Sequence, residues 1–449
     1  MLDLTEHWVG VAAVMLFAGA YVLVITEEYT HIRKSKPVML AAGLIWALVA
    51  LQYTATDDTH VVAEAVREYL AEFAELFLFL LAAMTYVNAM SERNVFLALR
   101  DQLAKRSLTY HSLFWITGIL SFFLSPVIDN LTTSLVMCAV VMAVGQGNAR
   151  FIALGCINIV VAANAGGAFS PFGDITTLMV WQRGVLHFGD FFALFLPSLV
   201  NYVVPAAIMS LGISREVPMR TEADTSVVLR RGARRIMLLF GLTITLAVSF
   251  HNFLHLPPFL GMMTGLACLK FFGYYMRVTS EGSLVDRFNG GELGDTPAFD
   301  SFREVARVEW DTLLFFFGVI MCVGGLGFIG YLANLSTFIY GELGPTIANI
   351  LVGVVSALID NIPVMVAVLE MEPSMSTQQW LLVTLTAGVG GSLLSIGSAA
   401  GIALMGQARG QYTFFSHLRW TPAIALGYAL SIWLHMFLNR DLAGIMPGS

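Results

Sequence analysis

The sequence predicts an all-α polytopic membrane protein made of two inverted-topology repeats, each with five transmembrane helices (one interrupted) and one re-entrant helical hairpin. Three observations carry that prediction. Apolar runs close to the 20 residues that cross a bilayer recur along the chain. Two kinds of polar break return in the same order in each half, and Lys and Arg fall almost entirely on one set of loops. A chain of 449 residues that is 57% hydrophobic and 12% charged holds more apolar surface than water-soluble domains of ordinary size could hide, so lipid is its expected solvent.

In chain order, the first spans are expected at Trp8 to Ile25, Val38 to Tyr53 and Phe73 to Met90. The leading MLDLTEH is acidic and lacks a cationic n-region, so the first run is expected to stay as a span. A run from Leu108 to Gly145 is interrupted at SPVIDN and forms the first hairpin. The next, from Phe151 to Val185, is interrupted at NAGGAFSPFGD, and Phe191 to Ile213 closes a first repeat over residues 1–213. Residues 214–235 are the expected cytoplasmic linker. The second repeat, 236–449, offers Ile236 to His251, Pro258 to Tyr275 and Thr312 to Leu332. A hairpin at about 346–370 follows, broken at ALIDNIP, then a helix at about 379–406, broken at GGSLLSIGSAAG, and a last span from Thr421 to Leu438.

The internal repeat changes the whole reading. Asp129-Asn130 matches Asp360-Asn361, and aligning Gly166-Gly167 with Gly390-Gly391 brings Gly173 onto Gly397 and Asp174 onto Ser398 without a gap. If both hairpins enter and leave on one side, segments 26–37, 91–107, 146–150, 214–235, 270–308 and 407–419 share a face. They contain every Lys and Arg except Arg67, Arg183 and Arg440. The positive-inside rule makes that face cytoplasmic and both termini external, with the two hairpins entering from opposite faces. A hairpin of full crossings would also return to its starting side, so the count orients the chain without proving re-entrance.

The basic stretches have a plain reading. VLRRGARR is expected to orient the chain and meet lipid headgroups, with no nucleic-acid role. SERNVFLALRDQLAKRS spaces Val95, Phe96, Leu99 and Leu103 as an interfacial helix. The Gly- and charge-rich stretch after Tyr275 is expected to be a flexible linker. Cys138, Cys156, Cys268 and Cys322 lack metal-ligand spacing and are read as small core residues.

Backbone inside hydrocarbon can be irregular only beside protein or a watery cavity, so Pro126, Pro171, Pro363 and the Gly pairs mark a buried polar site. The charges at those breaks are all acidic: Asp129, Asp174 and Asp360. A mid-membrane Asp costs about 2.5–3.5 kcal/mol, so three without partners would cost on the order of 8–10 kcal/mol. No Lys or Arg lies in the same breaks, which leaves protons, metal ions or a cationic substrate to neutralise them. The breaks supply hard oxygen donors: Asn130, Thr132, Thr133, Asn164, Ser170, Thr176, Thr177, Ser356, Asn361, Ser395 and Ser398. With no His or Cys among them, an alkali ion or proton fits better than zinc or copper.

NAGGAFSPFGDITTLMVWQ, with the paired DNLTTSLVM and DNIPVMVAV and the VEWDTLLFFFGV stretch, resembles the NhaD-type sodium/proton antiporters of the ion transporter superfamily, over nearly the whole chain. The resemblance implies exchange of cytoplasmic Na⁺ or Li⁺ for external H⁺ across a prokaryotic inner membrane, without a cofactor. It also implies two scaffold-and-transport halves and a homodimer. Carried over by position, it puts ion binding on Asp129, Asn130, Asn164, Asp174, Thr176, Thr177, Asp360, Asn361, Ser395 and Ser398. Relatives that carry dicarboxylates show a Ser-Asn-Thr hairpin tip where this chain has Asp-Asn, so an anionic substrate is the alternative that the carboxylates disfavour.

A second set of acids lies outside the breaks. Glu64, Glu68 and Glu72 read as a solvated helix face, whereas Glu75, deeper in its run, and Glu309 are candidates for a cation path. His435 reads as a satisfied core histidine. A membrane enzyme finds no support, since nucleotide loops, HExxH helices and nucleophile elbows are absent from the sequence. A passive channel would share these residues, but repeats around a midplane site favour a carrier.

Overall fold

The computed structural model describes residues 3–54, 59–106, 108–145, 148–218, 227–287 and 301–447. Among them the chain is helical throughout, without strands, and nine helices are long and apolar enough to cross a membrane. Trp8–Ile25 and Thr421–Leu438 end where the apolar runs end. The third span begins well before Phe73, as part of one helix, Thr59–Glu92. The expected linker after Tyr275 is helical as far as Arg287, because the helix that starts at Pro258 simply continues; residues 288–300 lie outside the described residues, as do 219–226 of the cytoplasmic linker.

Helix boundaries follow local chemistry. Thr109, Asn148 and Ser376 each accept a hydrogen bond from a backbone N–H one turn in, which satisfies donors that a helix start leaves open. The first hairpin comprises Tyr110–Ile128 and Asn130–Val144, and the second Pro345–Ser356 and Asn361–Met371. At 1.5 Å per residue the 12- and 11-residue arms of the second reach about 18 Å at most, too short for a bilayer of about 30 Å. The first hairpin differs, since its 19-residue leading arm is as long as a span. The two interrupted helices are Ala149–Gly167 with Ile175–Gln182, and Thr377–Gly390 with Ala399–Gln407.

The contacts divide the chain into two compact units, each drawing on both halves of the sequence. The larger comprises Met1–Phe73, Leu103–Glu222 and Asp311–Ser449. In it the first arm of each hairpin packs on the leading half of an interrupted helix, Tyr110–Ile128 on Ala149–Gly167 and Pro345–Ser356 on Thr377–Gly390. Both leading halves are sequestered: residues 154–167 and 380–390 are all buried. A helix apolar on every side needs such a position.

The smaller unit is Ala74–Gln102 with Ala223–Trp310. Its Ala233–Leu254 and Pro258–Arg287 helices pair, and the Tyr86 hydroxyl donates to the Gly265 carbonyl at 2.7 Å. The helix Val95–Lys105 is amphipathic as its spacing requires. Arg230, Arg231, Arg234 and Arg235 line a cavity of about 640 Å³ with Phe272, Tyr275 and Met276. Cys138, Cys156 and Cys322 are core residues as expected, but Cys268 is exposed.

Candidate functional site

The two breaks are built alike, contact for contact. A Cβ on Gly166 would stand 2.2 Å from the Phe122 carbonyl oxygen, and one on Gly390 would stand 2.1 Å from that of Gly353. Only glycine lets these backbones approach so closely. Gly167 meets the Gly173 carbonyl as Gly391 meets that of Gly397. Ser125 donates to the Ala163 carbonyl at 2.6 Å, and Ser356 donates to that of Ala387 at 2.8 Å. The serine therefore satisfies a helix carbonyl beside each break, as an interrupted helix within a membrane requires.

Asp174 caps the trailing half-helix Ile175–Gln182 and lies at the centre of the site. Its Oδ1 accepts from the Thr176 backbone N–H at 3.1 Å. Its Oδ2 accepts from two amides, Asn130 Nδ2 and Asn361 Nδ2, each at 2.9 Å. One asparagine from each Asp-Asn pair thus meets the same carboxylate oxygen. Asn130 also donates to Asn164 Oδ1 at 3.1 Å, and Asn164 Nδ2 donates to Ser392 Oγ at 2.9 Å. Asp174, Asn164 and Asn361 are buried. Thr176 Oγ1 and Ser395 Oγ are buried as well; Ser395 Oγ has no hydrogen-bond partner, and the Thr176 hydroxyl lies beside the Asp174 carboxylate.

The remaining expected ligands divide by role. Thr177 Oγ1 donates to the Ser170 and Asp174 carbonyls, and Ser170 Oγ donates to the Pro126 carbonyl, so these hydroxyls hold the break together. Ser398 accepts from Gly401 N as the cap of the second trailing half-helix. Asp129, at φ 83°, turns its carboxylate onto Thr132, accepting from the backbone N–H at 2.7 Å and from the hydroxyl at 2.9 Å. Asp360 gives its own helix no side-chain cap. Its Oδ1 is buried without a hydrogen bond. The three Asp do not converge as one cluster: among the described residues no three acids, His or Cys stand at metal-holding spacing.

Two neighbours were missed by sequence reasoning. Ser392 joins the Asn164 amide, and its carbonyl faces buried His417 Nε2 at 2.8 Å. Lys34 Nζ stands 3.8 Å from Asp360 Oδ2, which corrects the expectation that no cationic side chain reaches the break acids. Lys34 comes from a loop that charge counting reads only as an orientation signal, so nothing in its own spacing pointed here.

Glu72 also departs from the solvated-face reading. Arg183 binds it through two hydrogen bonds of 2.7 Å and pairs with Glu370 as well, which ties three elements of the larger unit together. Glu64 and Glu68 are exposed as expected. Glu75 is half-buried on Thr59–Glu92 and Glu309 is exposed; both belong to the smaller unit. His435 is a satisfied core residue, facing the Gln378 carbonyl and the Asn439 amide.

In comparison with known proteins, residues 8–388 match the family model described as citrate transporter. The chain is 58% identical over 451 residues to a protein from Alkalimonas amylolytica named Na(+)/H(+) antiporter NhaD, covering 98% of this chain and 93% of that one. It is 57% identical to the protein of the same name from Vibrio cholerae, with 98% and 94% covered. Sodium/proton antiporter 1 of Arabidopsis thaliana is 32% identical over 97% of this chain and 74% of its own length.

Proposed function

From the premise that this chain belongs to the NhaD family of sodium/proton antiporters, within the wider citrate-transporter family, we propose that it exchanges Na⁺, and Li⁺ in its place, for H⁺. It is a multi-pass membrane transporter and not an enzyme. The observation that carries the site assignment is Asp174 Oδ2, buried where the two Asp-Asn pairs meet and bonded by an amide from each.

In this reading the carboxylate holds either a proton or an alkali ion, and occupancy by one requires departure of the other. Thr176 Oγ1 and Ser395 Oγ offer further neutral oxygens, the chemistry suited to a small hard cation. Asp360 supplies a second negative charge next to Asn361, and Asp129 sets the tip of the first hairpin. Like charges in a buried site bind a shared proton or cation more tightly than either would alone. The matched contacts at the two breaks support two inverted repeats that rock to open the site to each side in turn. The native setting in this reading is a bacterial inner membrane, with both termini outside and a homodimer as the assembly. Glu75 and Glu309 are candidates for the approach path, and Glu75→Gln with an unaltered Na⁺ KM would remove Glu75 from it.

The citrate name of the broader family raises an anion carrier as the second reading. Asp174 and Asp360 oppose it, because buried carboxylates repel a polyanion. Purified protein in liposomes with an imposed pH gradient separates the two. Added Na⁺ or Li⁺ dissipates the gradient if the proposal holds; indifference to both, with citrate or succinate uptake instead, overturns it.

A further inference from the structure

Asp360 presents a carboxylate oxygen that nothing holds closely. Its Oδ1 is buried without a hydrogen bond and its side chain does not cap the helix it precedes, although the backbone N–H groups of Asn361 and Ile362 stand close enough to favour its charge. Its Oδ2 faces Lys34 Nζ at 3.8 Å, a distance for an ion pair and not for a direct hydrogen bond. The pair is poorly solvated, with 17% of the Lys34 side chain and 10% of the Asp360 side chain exposed. Such a pair is held by Coulomb attraction, and the carboxylate keeps free lone pairs for another cation.

The ammonium also has a second favourable contact besides the carboxylate. Lys34 Nζ lies 4.6 Å from the centre of the Phe315 ring, within cation–π range, and its charge is felt by Glu27. Leaving the carboxylate would not strand it without favourable contacts. The adjoining Ser35 is anchored by its hydroxyl to Asp311, which fixes the backbone while the long side chain remains free to swing.

We propose that Lys34 is a resident counter-ion of the transport site, which an alkali ion must displace from Asp360 in order to bind. The side chain sets cation affinity by competition. It offsets the negative charge of Asp360 in the empty site, and it expels the ion again when it returns. Lys34 touches the substrate's ligand and not the substrate, so its role is to tune affinity. This inference rests on the sodium/proton exchange proposed above.

The test is the Na⁺ dependence of exchange in liposomes at one alkaline pH, for the native protein and for Lys34→Gln and Lys34→Arg. Displacement predicts that Lys34→Gln lowers the Na⁺ KM about tenfold, since a like charge a few ångströms away is removed. Vmax falls with it because the ion leaves more slowly. Lys34→Arg keeps a KM within about twofold of the native value. Na⁺-dependent thermal stabilisation in detergent reports the same change without turnover, with half-maximal stabilisation of Lys34→Gln at lower Na⁺. If the native protein exchanges Na⁺ but Lys34→Gln leaves both KM and half-stabilisation unchanged, or weakens them, Lys34 is an orientation signal only and the inference fails. If the native protein moves no protons for Na⁺, the functional reading beneath it fails first.

Discussion

At the first break the cap of the returning half-helix is Asp174; at the second it is Ser398. Their backbones are nearly superimposable in angle, φ −146° and ψ 149° against φ −143° and ψ 148°. Both side chains accept a hydrogen bond from a backbone N–H of the first turn. Capping therefore needs only an oxygen, and Ser provides it as well as Asp. The carboxylate at the first break is surplus to the fold, and it is the one that the two asparagines address. The hairpin tips divide their work in the opposite sense. Asp129 spends its carboxylate on Thr132, whereas Asp360 leaves one oxygen unbonded and shows the other to Lys34. In the proposed reading each half supplies one structural position, Asp129 or Ser398, and one chemical acid, Asp174 or Asp360, so the site draws on both halves.

The largest effect that would test this division is at the caps. Asp174→Ser keeps a capping oxygen but removes the charge and the acceptor of the Asn130 and Asn361 amides, so exchange should fall by two orders of magnitude or more, with a stability cost of about 1–3 kcal/mol from the stranded donors. Ser398→Ala should cost about 1 kcal/mol in stability and leave exchange largely intact. Parallel transport and denaturation measurements on the two variants check both statements. Equal transport losses would mean that the caps are not specialised.

The close approaches come next. Gly166→Ala and Gly390→Ala each force a Cβ against a carbonyl oxygen in the buried centre. Each should lose about 1–3 kcal/mol or fail to accumulate. The losses should be similar if the breaks are equivalent, and a marked difference in thermal denaturation would limit the equivalence to one side.

Asp129→Asn should be milder. Asn accepts the Thr132 N–H as Asp does and tolerates the positive φ. Its exchange rate should exceed that of Asp174→Ser at every Na⁺ concentration. If the two are equally inactive, Asp129 has a direct part in ion binding that its bonds to Thr132 do not reveal.

The smallest effect on exchange is expected in the smaller unit, which serves as a contrast. Burial, and then the neighbouring Glu92 carboxylate, push the Glu304 carboxyl up to about 7 against the pull of Arg307. A carboxyl whose folded pKa is raised binds its proton more tightly when folded. The folded state is therefore favoured at low pH, and the advantage is lost as pH rises from the unfolded value through about 7. Glu304→Gln should relieve up to a few kcal/mol of that cost at pH 9 and little at pH 5. Denaturation at the two pH values reads the difference.

The breaks were legible because repetition and a shortage of apolar residues coincide there. Asp174, Asn130 and Asn361 could be named before their contacts were known, since a polar group at mid-span must find a partner. Trp8–Ile25 and Thr421–Leu438 were legible for the plainer reason that continuous apolar runs end sharply. Lys34 and the Arg183 pairing with Glu72 and Glu370 were not legible. Each joins residues far apart in the chain, and periodicity gives the face of a helix but never the element that packs on it. Whether the long first arm of the first hairpin crosses fully was not legible either, because a sequence shows where a helix breaks but not how deeply it enters the membrane.

The account depends most on the claim that Asp174 exchanges Na⁺ for H⁺. Everted membrane vesicles with a respiration-generated pH gradient test it directly. Native protein should collapse the gradient on addition of Na⁺, and Asp174→Asn, folded and equally abundant, should not. A native protein indifferent to Na⁺ and Li⁺, or an Asp174→Asn variant that responds as the native protein does, would contradict the account.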